Sequence, residues 1–379
     1  SSGVSYNPVM KIKAFKVEEW MNAYEKEAIY DIAGTCVKNF SLAELFSLCG
    51  VNAEKFFEDF SQKTLTYLNI QGSDAYRNGI SALYKTIAPE NVLSTTGAAG
   101  ANYLVFYSLI EPGDEVVSVI PAYQQLYSIP ESLGADVKLL KLTPENNFLP
   151  DLSELESLVT RKTKLICLNN PNNPTGALIN DDLLEKIASI AEKNGAYVLC
   201  DEVYRGLEQE KTPSSIVDIY DKGISTGSMS KAFSLAGIRM GWVAARDKKL
   251  FDTLMSHREY NLICCSVFDE AVSALALKNS GKILARNRKI LSENREILHN
   301  WILSQKNYSY VKPAAGTTAL IYYDANTGSK EFCDKLSKQN GVFTTPGFCF
   351  ELENCFRIGY GMEKNVLLDG LEQLSLFLS

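Results

Sequence analysis

Lys231 sits in the run Ser228-Met229-Ser230-Lys231, and eight residues later Arg239 follows in Gly237-Ile238-Arg239-Met240-Gly241. Most lysines are solvated surface charge. This one is flanked by small hydroxyl residues, which bind anions, and by the apolar stretch Ala232-Phe233-Ser234-Leu235-Ala236-Gly237. An ammonium in such surroundings is poised to lose its proton, and a neutral amine is a nucleophile toward aldehydes. A cofactor carrying both an aldehyde and a phosphate would use all three groups: Lys231 for the aldehyde, Ser228 and Arg239 for the phosphate. Pyridoxal phosphate (PLP) has that chemistry.

Other residues complete such a site. Asn169-Asn170-Pro171-Asn172-Asn173-Pro174-Thr175-Gly176 is a loop by composition, with asparagine side chains free to donate; read plainly, it is a turn between strand and helix. Asp201 ends an apolar strand, where a carboxylate is costly without a cation. A protonated pyridine nitrogen would serve, as would a helix cap or a salt bridge to Arg205. Tyr204 could reach the phenolic oxygen of the same ring, or fill the core. Gly97-Ala98-Ala99-Gly100 opens a helix, whose free N–H groups bind phosphate, or makes a tight turn. Tyr123 could stack on a planar ring or simply pack. Arg357, in Cys355-Phe356-Arg357-Ile358-Gly359, suits a two-pronged grip on a carboxylate or an internal salt bridge.

These residues must be held by a scaffold. The 379 residues are 46% hydrophobic and 22% charged, ordinary globular composition with room for two or three domains. A net charge of -7 argues against a nucleic-acid surface. No long apolar run predicts a membrane span, and no secretory signal is expected at the N-terminus. Ser1 to Val9 read as an addition ahead of a start at Met10. Nine scattered cysteines predict reduced thiols and a cytoplasmic protein. With only His257 and His299, a histidine triad or zinc cluster is not expected, and no metal site is predicted.

Apolar strands at Val92–Thr95, Glu115–Ile120, Thr163–Asn169 and Tyr197–Cys200 alternate with helices at Gly97–Ile110 and Asp181–Lys193, the latter stopped at Gly195. That pattern predicts an α/β fold with a mainly parallel sheet covered on both faces, and ligands at the carboxyl ends of its strands. Gly97, Tyr123, Asn173, Asp201 and Ser228 all follow strands. A long charged helix over Lys282–Gln305 begins a smaller α+β portion, and a helix over Val17–Tyr30 is expected to pack there. The predicted division is 1–48 for an N-terminal segment, 49–277 for a large PLP-binding domain and 278–379 for a small C-terminal domain.

With these motifs in hand, from about Asp31 to Leu378 the chain resembles the class I/II aminotransferases, PLP enzymes of fold type I. Asn-Asn-Pro-Thr-Gly, Asp-Glu-Val-Tyr and Ser-x-Ser-Lys with arginine eight residues on stand in the family's order. The resemblance implies a seven-stranded sheet and a Schiff base on Lys231, which also shuttles protons. It implies that Asp201 pairs with the pyridinium nitrogen, and that Asn173 and Tyr204 bind the ring oxygen. Ser228, Arg239 and the amides of Ala98 and Ala99, beside Gly97, would hold phosphate. Tyr123 would stack on the ring, and Arg357, with Asn173, would bind substrate. Tyr67 would reach the phosphate of a neighbouring subunit, which implies a homodimer with shared sites. The implied substrates are an amino acid and a 2-oxo acid. One departure stands out: within Ile32-Ala33-Gly34-Thr35-Cys36-Val37 no residue is assigned to the family's early substrate-contacting glycine. Val17-Glu18-Glu19-Trp20-Met21 and Phe40-Ser41-Leu42-Ala43-Glu44-Leu45 are also similar to capreomycidine synthases, PLP enzymes that cyclise their substrate rather than transaminate it. Elimination is the other alternative chemistry.

Overall fold

The computed structural model describes residues 12–378, so the readings on Ser1–Val9 and Met10 lie outside the described residues. After helix α1 (Lys16–Tyr24) comes the short strand β1 (Tyr30–Asp31). Seven strands then build one sheet: β2 (Val92–Thr95), β3 (Glu115–Ile120), β4 (Asp136–Lys141), β5 (Thr163–Asn169), β6 (Tyr197–Asp201), β7 (Gly223–Ser228) and β8 (Gly241–Ala245). Their order is β2-β8-β7-β6-β5-β3-β4. The neighbours β4, β3, β5, β6 and β7 are parallel, and β8 runs against both β7 and β2. The sheet is therefore mainly parallel, as the unalternated apolar runs predict. Val116, Val117, Leu165, Ile166, Val198 and Leu199 are all buried, which is what covering both faces of a parallel sheet requires.

The predicted helices form where their end signals lie. Asn180 caps the helix Asp181–Asn194 by accepting from the Leu183 amide, and Gly195 ends it in the left-handed conformation. The long charged helix spans Ser280–Ser304.

The remaining strands are β9 (Tyr308–Tyr310), β10 (Thr318–Tyr323), β11 (Val342–Phe343), β12 (Thr345–Pro346) and β13 (Cys355–Gly359). Four of them form an antiparallel sheet ordered β12-β13-β10-β9, and β11 pairs in parallel with β1. The expected helix over Val17–Tyr30 is cut short. It ends at Tyr24, a 3₁₀ turn follows over Glu25–Glu27, and the amides of Ile29 and Tyr30 donate to Gly341 O instead. The β-branched and aromatic run Ile29-Tyr30-Asp31-Ile32 gains more from this strand pairing than from another helical turn. The indole of Trp20 fixes α1 by donating to Thr344 O at 2.8 Å. Among the described residues no helix is long and apolar enough to cross a membrane.

Gly176 joins the two sheets. Its carbonyl accepts from the amides of Ala314 and Ala315, and its φ is +71°. A Cβ there would run into Pro313 and lie 2.7 Å from Thr318 O. Gly176→Ala is therefore expected to destabilise the protein by about 1–3 kcal/mol, through the positive φ and the lost close approach. A lowered denaturation midpoint checks this; an unchanged midpoint would show that the contact gives way freely.

Candidate active site

At the carboxyl ends of β5, β6 and β7 lies a cavity of about 590 Å³. The expected residues Ala98, Ala99, Tyr123, Asn173, Asp201, Tyr204, Ser228, Lys231, Arg239 and Arg357 all line it. Gly97 lies beneath Arg239: a Cβ on it would come 2.7 Å from Nη2. Tyr67 lies outside the cavity and is 71% exposed.

Asp201 ends β6 and is buried. Its Oδ2 accepts from Asn102 Nδ2 at 2.9 Å and its Oδ1 from the Val203 amide at 3.2 Å. Asn102 is itself held by Thr226 Oγ1, which donates to its Oδ1 at 2.7 Å. Burial pushes the carboxyl above its ordinary pKa, while Asn102, Val203 and the charge of Lys231 pull it back. The alternative partner Arg205 turns away, donating to Pro213 O and Leu83 O. A buried carboxylate with only neutral hydrogen-bond donors is matched to a small cation.

The phosphate side is equally open. Thr96 precedes the helix Gly97–Leu109 without a side-chain cap; the Gly97 amide donates to Arg239 O and the Gly100 amide to Thr96 O, while among the described residues the Ala98 and Ala99 amides have no acceptor. Arg239 stands beside them with its Nη1 donating to Ala236 O at 3.0 Å.

Lys231 Nζ donates to Thr35 Oγ1 at 2.5 Å and approaches Cys36 Sγ at 3.5 Å. The sequence predicts an amine poised to lose its proton, and the structure corrects this. Burial does lower the pKa of Lys231, but attraction from Tyr204 and Cys36 outweighs it and holds the amine above its ordinary value.

The asparagine loop ties itself in place. Asn170 exchanges two hydrogen bonds with the backbone of Ile179, and Asn169 Oδ1 accepts from the Asn173 amide at 2.8 Å. That leaves the Asn173 side chain to meet Arg357, whose Nη1 donates to Asn173 Oδ1 at 3.1 Å. Arg357 Nη2 donates to Ala33 O and Thr345 Oγ1, each at 3.3 Å, and Nε has no partner. The side chain is 2% exposed. Among the described residues it forms no salt bridge, so the internal ion pair that the sequence allows is not what holds it. Tyr123 packs against Phe15 with ring centroids 5.2 Å apart, and burial raises the pKa of its phenol.

Sequence reasoning misses Thr35, Cys36, Asn102 and the acidic residues Glu18, Glu25 and Asp31, of which all but Asn102 line the cavity. Asn102 carries a signal, a polar amide in the middle of the mostly apolar helix Gly97–Leu109. Gly34 also lines the cavity, and a Cβ on it would meet nothing within 4 Å.

The donor set fits pyridoxal phosphate. An uncompensated buried carboxylate awaits a cation, an uncapped helix start with Arg239 awaits a dianion, and an amine stands between them. Sheet order and site together define a PLP-dependent transferase of fold type I. The chain belongs to the aminotransferase class I and II family, whose model matches residues 47–374. It is 28% identical to a capreomycidine synthase of Streptomyces vinaceus over 96% of this chain and 93% of that protein. It is 30% identical to an aspartate aminotransferase of Sulfurisphaera tokodaii over 82% of each. Among solved structures, a PLP-dependent aminotransferase from Streptococcus suis superposes with a TM-score of 0.95 at 47% identity, covering 97% of this chain and 98% of that one. The PLP-dependent cyclase OrfR superposes with a TM-score of 0.89 at 25% identity, covering 97% of each.

Proposed function

We propose that this enzyme moves an α-amino group between an amino acid and a 2-oxo acid. The observation that carries the reading is Arg357, a buried guanidinium with an unpartnered Nε, lining the same cavity as Lys231 and Asp201. Pyridoxal phosphate, when bound, supplies the electron sink for charge developing on the substrate α-carbon. Ser228, Arg239 and the amides of Ala98 and Ala99 hold the phosphate. Asp201, steadied by Asn102, would keep the ring nitrogen protonated. Asn173 and Tyr204 would hydrogen-bond the ring oxygen, and Tyr123 would pack against the ring. Arg357 grips the α-carboxylate with two parallel hydrogen bonds, which fixes the orientation of the α-carbon. Lys231 Nζ would then take the proton from the α-carbon and give it up on the cofactor side rather than back to the α-carbon, with Thr35 Oγ1 within reach to hold the amine between the two transfers.

Repeated turnover is expected only when an amino acid and a 2-oxo acid are both supplied, with a new 2-oxo acid as product. A second reading, cyclisation or elimination, is favoured by the match to capreomycidine synthase along nearly the whole chain. Sustained product formation from a single amino acid, with ammonia released or a ring closed, would select it instead.

The same reading extends to assembly and compartment. Exposed Leu65, Tyr67 and Leu68 support a homodimer in which Tyr67 reaches the neighbouring subunit's phosphate. Nine free cysteines support a reducing, cytoplasmic setting. The division at 48/49 and 277/278 remains our proposal for the domain boundaries.

A further inference from the structure

Each cation that lines the cavity has a use in the proposed function: Lys231, Arg239 and Arg357. Of the carboxylates, only Asp201 does. Glu18, Glu25 and Asp31 are left over. Glu18 and Glu25 lie on the cavity-facing side of α1 and the 3₁₀ turn that continues it, seven residues and hence two helical turns apart, with Asn22 between them. Neither forms an ion pair or side-chain hydrogen bond among the described residues. Asp31 is partly engaged, because its Oδ1 accepts from the Ala33 amide at 3.0 Å. Acidic residues alone would mean little. The independent sign of a ligand is Arg357, more than nine-tenths buried, with Nε unpartnered and only neutral groups on its other nitrogens.

We infer that the amino-acid substrate carries a cationic side chain, an ammonium or guanidinium, which Glu18 and Glu25 receive while Arg357 takes the α-carboxylate. The inference rests on the proposed role of Arg357 and deepens it. A side-chain carboxylate, as on aspartate, would meet like charge at the α1 wall and find no unassigned cation among the described residues that line the cavity. A cationic end meets two carboxylates that form no salt bridge among the described residues, Glu18 feeling only the more distant charge of Arg357.

Ligands that cannot condense with an aldehyde test this on the PLP-loaded enzyme, by titration calorimetry at low ionic strength. Hexanoate offers only the carboxylate, 6-guanidinohexanoate adds a distal cation, and adipate adds a distal anion. The expected order is 6-guanidinohexanoate tightest, by about three- to tenfold over hexanoate for exposed charges, and adipate weakest. In the double variant Glu18→Gln/Glu25→Gln the preference for 6-guanidinohexanoate should fall to near unity, and added salt should shrink it in the unaltered enzyme. Two results overturn the inference: a preference that survives the double variant, or adipate binding tightest, as a cation supplied by a second copy would give. Arg357→Ala separates the two levels. If hexanoate binds that variant as well as the unaltered enzyme, the reading of the site itself falls. If hexanoate depends on Arg357 but the distal guanidinium adds nothing, only the side-chain inference falls.

Discussion

Lys231→Ala is expected to lower turnover by roughly 10²–10⁴, the range that a positioned proton-transfer group contributes, and to abolish covalent retention of the cofactor. No other residue can substitute, because among the described residues Lys231 is the only lysine lining the cavity. Two readouts separate its roles. Borohydride reduction of the loaded enzyme, followed by peptide mass spectrometry, should mark the peptide containing residue 231 and leave the variant unmarked. Single-turnover kinetics should show that the chemical step, not donor binding, carries most of the loss. Near-normal turnover in the variant would dismiss Lys231 as the base.

Much of this site is legible in the amino-acid sequence, and the reason is local. The strands read as apolar runs because a parallel sheet buries both faces, so Glu115–Ile120 and Thr163–Asn169 match their observed bounds. Asp201 and Asn173 stand out because polar residues at the ends of such strands need a reason to be there. What the sequence hides is set by pairing between distant segments. Thr35 and Cys36 have no local signature. They reach Lys231 because β1 pairs with β11 and because Thr317 Oγ1 anchors the Thr35 carbonyl at 2.7 Å. Glu18 and Glu25 look like solvated helix charges until α1 is docked by Trp20 on Thr344. The proton affinity of Lys231 is hidden in the same way, since apolar neighbours in sequence say nothing of Tyr204 and Cys36 in space.

Replacing Arg357 by methionine should separate function from stability in opposite directions. Burial disfavours its charged form, and although Tyr204 and Glu18 attract it, no carboxylate among the described residues forms a salt bridge with it. Losing a buried charge-assisted partner for the substrate carboxylate costs about 2–5 kcal/mol, so kcat/KM should fall by roughly 30-fold to several thousand-fold. The fold gives up hydrogen bonds to neutral groups on Asn173, Thr345 and Ala33 and the guanidinium's place over the Phe350 ring, 5.3 Å from its centroid, a face on which a methionine sulfur can also pack. It also sheds a buried charge that has no salt-bridge partner among the described residues, and a well-packed apolar side chain in such a position is often neutral or stabilising. The thermal midpoint of the variant should therefore hold steady or rise while activity collapses. Arg357→Lys should recover little, because an ammonium cannot reproduce the planar fork. The opposite pattern, a clear loss of stability with kcat/KM preserved, would make Arg357 a structural residue and leave the substrate carboxylate without its anchor.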